Sequence, residues 1–150
     1  MKTTIEITNA VKERYVAQRL SGARKEWPDD VRRALEYMNG HLFDYGFCIA
    51  QMRADCRIYE NNFSMKFRHF TGESPLQYLQ RHRIACSMAI MESREAGNTV
   101  TSIAYEVGYG NPSTFCMAFK RITGRTPLDF MKILNSNNNR CLKNQSSGCV

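Results

Sequence analysis

Two faces of polar and cationic side chains, each opposite a stripe of rings and aliphatics, carry the residues of this chain best placed to do chemistry. Phe63, Phe67 and Phe70 stand at i, i+4 and i+7, which is one side of a helix. At about 100° per residue, Asn61, Ser64, Met65 and Arg68 fall on the opposite side. Phe115, Phe119 and Ile122 repeat the buried stripe, and Ser113, Cys116, Met117 and Lys120, with Thr114 beside them, face outward. Such amides, hydroxyls, thioethers and cations bind partners. No Ser/His/Asp or paired-acid constellation points to catalysis, so no enzyme is expected. The six cysteines, at 48, 56, 86, 116, 141 and 149, show no C-x₂₋₄-C spacing, and the three histidines do not cluster with them. No metal or cofactor follows, and the cysteines read as small reduced apolar side chains. A formal charge of +7 favours a polyanionic partner, nucleic acid first.

These residues sit in a segment written twice. FSMKFRHFTGESPLQY runs from Phe63 to Tyr78, and FCMAFKRITGRTPLDF from Phe115 to Phe130, without a gap. Phe63/Phe115, Met65/Met117, Phe67/Phe119, Thr71/Thr123, Gly72/Gly124, Pro75/Pro127 and Leu76/Leu128 are identical pairs. A period of 52 residues indicates a repeated supersecondary unit, and two copies indicate two related subdomains.

The elements around the copies are helical. Residues 1–26 form an N-terminal extension with Val11, Tyr15 and Leu20 on one side, expected to dock against the body. Trp27-Pro28-Asp29-Asp30 starts a helix carrying Val31, Ala34, Leu35 and Met38, which ends near Gly40. A short helix fits Ile49 to Asp55. After the first copy's Thr71-Gly72 stop, Ser74-Pro75 starts a helix reaching about Ser93, with Leu76, Leu79, Cys86 and Ile90 on one side and Ile84, Met88 and Met91 on another. Thr99 caps a short helix with Val100, Ile103, Ala104 and Val107. Gly108 then turns the chain, and Asn111-Pro112 starts the helix of Phe115. Thr126-Pro127 starts a last helix through about Leu134, and residues 136–150 read as a disordered tail. No segment alternates as a strand does, so the fold expected is all-α. No apolar run approaches the roughly 18 residues of a membrane span. With no greasy centre near the N-terminus, the expected location is the cytoplasm, with no membrane partner.

IAYEVGYGNPSTFCMAFK reads as a short helix, a glycine turn and a second helix with one buried aromatic face, which is a helix-turn-helix. The wider pattern, I-A-x-x-x-G-[YF], F-x-x-x-F-[KR] and G-x-[ST]-P, resembles the DNA-binding domain of the AraC/XylS family of transcription regulators from about Asp30 to Asn135. The first copy's F-x-x-x-F-R-x-x-T-G-E-S-P-x-x-Y-L carries the same resemblance. It implies a domain over 27–135, homeodomain-like in its units: a first helix-turn-helix subdomain (27–74), a linker helix (75–94) and a second subdomain (95–135). It further implies that double-stranded DNA is the partner. Asn61, Ser64 and Met65, and Ser113, Cys116 and Met117 with Thr114 beside them, correspond to base-edge readers. Arg68 and Lys120 are placed for phosphate, with Arg81 and Arg83 as further candidates. A linker of about 27 Å, with its ends added, lets one monomer reach successive major grooves about 34 Å apart. The resemblance favours an activator that also contacts RNA polymerase.

The first unit departs from the pattern at Arg53, where a small residue is usual, at Arg57, where the turn often has glycine, and at Tyr59, where a capping serine is common. Ser87 replaces the linker's usual alanine. These departures keep a second reading open, a helical protein-interaction module with weak DNA binding. The 26 leading residues are too few for an effector domain, which leaves a free-standing regulator or a fragment of a longer, effector-responsive one. A third reading, the zinc module of DNA-repair methyltransferases, fails because no cysteine precedes Cys48.

Overall fold

The computed structural model describes residues 2–93 and 97–146. Among them are eight helices and no strand: α1 (Thr4–Arg19), α2 (Asp29–His41), α3 (Ile49–Asp55), α4 (Phe63–Thr71), α5 (Pro75–Glu92), α6 (Val100–Glu106), α7 (Pro112–Thr123) and α8 (Pro127–Ser146). None is long and apolar enough to cross a membrane. Helix starts follow their local chemistry. Ser74 Oγ accepts the Gln77 N–H at 3.2 Å, and Gln77 Oε1 accepts the Ser74 N–H at 3.0 Å, with Pro75 at the first helical position. Thr99 and Ser102 make the same reciprocal cap on α6.

The repeat in sequence is a repeat in structure. Gly72 and Gly124 end α4 and α7 in the left-handed region, at φ 91° and 81°, and each donates its N–H at 2.8 Å to a carbonyl, that of Arg68 or Lys120. The Thr71 and Thr123 hydroxyls bond the Phe67 and Phe119 carbonyls at 2.8 and 2.7 Å. Phe63–Phe67 and Phe115–Phe119 place their ring centroids 5.9 and 5.8 Å apart.

Two hydrophobic cores result, one under each unit. Val31, Leu35, Met38, Met52, Ile58, Phe63 and Phe67 fill the first, and Ile103, Val107, Tyr109, Phe115 and Phe119 fill the second. Helix α5 serves both: Tyr78 and Leu79 enter the first, and Ile84, Cys86, Ile90 and Met91 the second. That explains why its apolar residues are not confined to one stripe. Burial pushes the Cys86 thiol up to about 12, so it is an inert packing group.

Four expectations outside the two exposed helix faces need correction. Leu76 is exposed, because α5 turns Pro75, Tyr78 and Leu79 inward and leaves Leu76 on the other side. Ile122 is also exposed, one turn past the last ring that α7 buries. Arg83 is buried and cannot reach phosphate: Nε donates to the Leu42 carbonyl at 2.7 Å and Nη2 to that of Phe47 at 3.2 Å. The last helix does not stop near Leu134. It continues through residues expected to be disordered as far as Ser146, and 147–150 lie outside the described residues. Once a capped helix exists, each added residue gains a bond without a new nucleus, so weak helix formers such as asparagine can follow.

His82 is buried where α1 packs on α5, with its Nδ1 2.8 Å from the Tyr15 hydroxyl and its Nε2 3.2 Å from Arg81 Nη2. Arg81 can only donate, so Nε2 accepts and Nδ1 carries the proton toward Tyr15. Burial, and then the Arg81 guanidinium, push His82 down to about 4. The unfolded chain therefore binds the proton more readily, and stability present above pH 6.5 is lost as pH falls toward 4. About 3 kcal/mol is expected to go through this residue once pH is below 4. Urea unfolding at pH 7, 5.5 and 4 checks this, with a shallower pH slope expected for His82→Asn.

Candidate nucleic-acid interface

The second unit is built from a helix, a glycine turn and a longer helix. After α6, Gly108 takes φ +98°, and Tyr109 donates its N–H to the Ala104 carbonyl at 3.0 Å. The left-handed conformation excuses glycine from the Cβ penalty other residues meet there. Asn111 Oδ1 then accepts the Ser113 N–H at 2.7 Å, Pro112 opens α7, and burial of Phe115 and Phe119 fixes the helix's roll. Ser113, Thr114, Met117 and Lys120 consequently face outward, and Met117 is 67% exposed. Cys116 does not join them fully. It is half-buried on the flank of α7 and packs against the second core.

The first unit reaches the same end by a different turn. Arg57 occupies the left-handed position itself, at φ 54°, and Ile58 donates its N–H to the Arg53 carbonyl at 2.9 Å. Arg53, standing where a small residue was expected, uses its guanidinium to hold the turn, donating to the Glu60 carbonyl at 2.6 Å and that of Ile58 at 3.4 Å. The irregular sequence thus has a structural counterpart: side-chain donors organise a turn that lacks glycine. Helix α4 starts at Phe63, whereas α7 starts three residues before its corresponding Phe115. Asn61 is therefore exposed in the turn ahead of α4 rather than on the helix, which corrects its assignment to the helical face. Ser64, Met65 and Arg68 do lie on the exposed side of α4, with Met65 76% exposed.

The cations sort by what they already hold. Lys66 is committed to Asp30 of α2 at 2.7 Å, and that hydrogen bond raises its pKa first of all. Arg81 forks onto Glu73, with Nη2–Oε1 at 2.6 Å, so its charge is largely answered. The side chains of Arg68 and Lys120 make no hydrogen bond or ion pair among the described residues, which leaves them available to an anion. Arg121, beside Lys120, reaches back to Gln80 of α5. The sequence does offer a signal for it, since the repeat sets Arg121 against His69 and makes two basic pairs, Arg68-His69 and Lys120-Arg121. Helix α5, with 18 residues, is about 27 Å long and packs into both units. Among the described residues, no cluster of histidine, cysteine or acid side chains could hold a metal.

Comparison with known proteins agrees with this architecture. Residues 54–133 match a family model described as a helix-turn-helix domain. The chain is 36% identical over 84 residues to a putative AraC-like transcription regulator of Streptomyces lividans, covering 56% of this chain and 27% of that protein. A second such regulator, from Streptomyces antibioticus, is 31% identical over 88 residues, covering 59% of this chain and 28% of that one. The chain therefore spans about a quarter of the length of these curated relatives. Among solved structures it resembles the DNA-binding domain of AdpA, a global transcriptional factor crystallised with a target DNA, at a TM-score of 0.63 and 22% identity, over 73% of this chain and 96% of that one.

Proposed function

This chain belongs to the AraC-type helix-turn-helix family, a family of transcription regulators and not of enzymes, and from that premise we propose that it binds double-stranded DNA. In this reading α4 and α7 enter successive major grooves on one DNA face. The observation that carries it is the doubled unit: two exposed helix faces, each ending in an unpartnered cation, joined by one 18-residue helix. Asn61, Ser64 and Met65 are the base-edge readers of the first unit. Ser113, Thr114 and Met117 are those of the second, with Cys116 at its flank. An amide can pair bidentately with adenine, and a thioether can offer a thymine methyl only apolar contact. Arg68 and Lys120 neutralise phosphate. One chain suffices for an asymmetric site, and the reading extends to a cytoplasmic activator that contacts RNA polymerase.

Gel shifts at rising salt, on sites selected from random DNA, test this proposal. Lys120→Ala is expected to weaken every site about equally and to reduce the salt slope by about one. Asn61→Ala is expected instead to change which sites are preferred, by about 1–3 kcal/mol at one base pair. Unchanged preference would remove Asn61 from the readers. Absence of binding even at low salt would leave the protein-interaction reading.

A further inference from the structure

Helix α1 and the two residues after it are fastened to both units, and the chemistry of the repeat does not account for them. At one end, Thr8 is buried and its hydroxyl oxygen accepts from Asn98 Nδ2 at 3.2 Å, just ahead of α6. One turn on, Lys12 Nζ pairs with Glu106 Oε2 at 3.0 Å and bonds the Glu106 carbonyl at 3.3 Å, placing a cation on the negative end of α6. In the middle, Tyr15 packs edge-on against Phe43 at 5.9 Å and meets His82 of α5. Beyond the helix, Leu20 packs against both cores, and the Ser21 carbonyl accepts from Asn39 Nδ2 of α2 at 3.2 Å. Residues 8–21 thus run from the second unit, across α5, to the first.

The linker helix, with residues 42–47 of the first unit set against Tyr105 and Gly108 of the second, holds the two units together and gives a first restraint on twisting about the linker's axis. A second strut fastened to both units resists that twist. We propose that α1 fixes the angle between α4 and α7 and thereby sets which spacing between the two half-sites the protein accepts, with Lys12 and Tyr15 as positioning residues. This rests on the DNA-binding reading.

The test uses a site selected from random DNA by the unmodified chain, and the same site with one base pair inserted between its halves. The insertion moves one half by about 3.4 Å and about 35°. The unmodified chain is expected to lose about 100-fold in affinity on insertion, since one half-site's base contacts are forfeited. A chain lacking residues 2–21 is expected to lose less than about 10-fold. Because that deletion could impair folding, Lys12→Glu is measured beside it, with folding followed by circular dichroism. The single change is expected to reduce the insertion penalty about 5-fold, and the exchange Lys12→Glu with Glu106→Lys to restore it. An equal penalty in the unmodified chain and folded Lys12→Glu overturns the assignment of α1 while leaving DNA binding intact. No binding by the unmodified chain overturns both.

Discussion

Arg83→Met is expected to lower folding stability by about 3–5 kcal/mol and, through that loss, to abolish the DNA binding proposed here. Arg83 is only 6% exposed, and its guanidinium binds three carbonyls of one segment: Leu42 at 2.7 Å, Phe47 at 3.2 Å and Asp44 at 3.4 Å. It also lies 5.4 Å from the Tyr109 ring centroid. Burial pushes its pKa down. Methionine keeps much of the volume but strands the Leu42 and Phe47 carbonyls, at about 1–3 kcal/mol for each acceptor left buried and unpaired, while the Asp44 carbonyl keeps the Phe47 N–H at 3.2 Å. The site is also closed by Gly108, where an added Cβ would stand 2.8 Å from Arg83 Nη2 and 3.0 Å from the Asp44 oxygen. Gly108→Ala should therefore destabilise as well, and the double variant should cost less than the two changes summed, since the contact with Arg83 disappears with the guanidinium while that with the Asp44 oxygen stays. Urea unfolding of the four proteins measures this. An Arg83→Met variant within 1 kcal/mol of the parent would mean that the segment does not depend on these bonds.

Phe119→Ala is expected to cost a further about 3–5 kcal/mol, enough to unfold the second unit. Phe119 has no exposed surface and is third in a run of rings, Tyr109–Phe115–Phe119–Phe130, whose successive centroids lie 5.4, 5.8 and 5.7 Å apart. Its removal leaves a ring-sized void in a core that only neighbouring side chains can refill. Phe67→Ala in the first unit is expected to do likewise, because Phe67 contacts Phe63 and Tyr78 as Phe119 contacts Phe115 and Phe130. Thermal unfolding and gel shifts on each variant would show lost structure and lost binding together, although neither ring faces solvent.

Much of this fold is legible in the sequence because its determinants are local. Capping residues, prolines at helix starts and glycines at helix stops each act within four residues, and ring spacing assigns the buried face. Arg83 is different. Its sequence position suggests an exposed cation on a linker, and only packing against residues 42–47, about forty positions away, reveals its carbonyl partners. Asn61 is misplaced for a related reason: helical periodicity can be extended past Phe63, but the turn held by Arg53 and Arg57 takes up those residues. Cys116 sits near the boundary between faces, where a small rotation decides exposure. The role of α1 is legible only in outline, since Tyr15 marks its buried side while Lys12 and Thr8 find partners some ninety residues on.

The central claim is that one chain presents two recognition helices to one face of DNA. Hydroxyl-radical footprinting of a selected site, with stoichiometry fixed by titration at concentrations well above the dissociation constant, tests it most directly. Two protected patches about one helical turn apart on one face, at one chain per site, are the predicted result. A single patch, or two patches that require two chains, would contradict it.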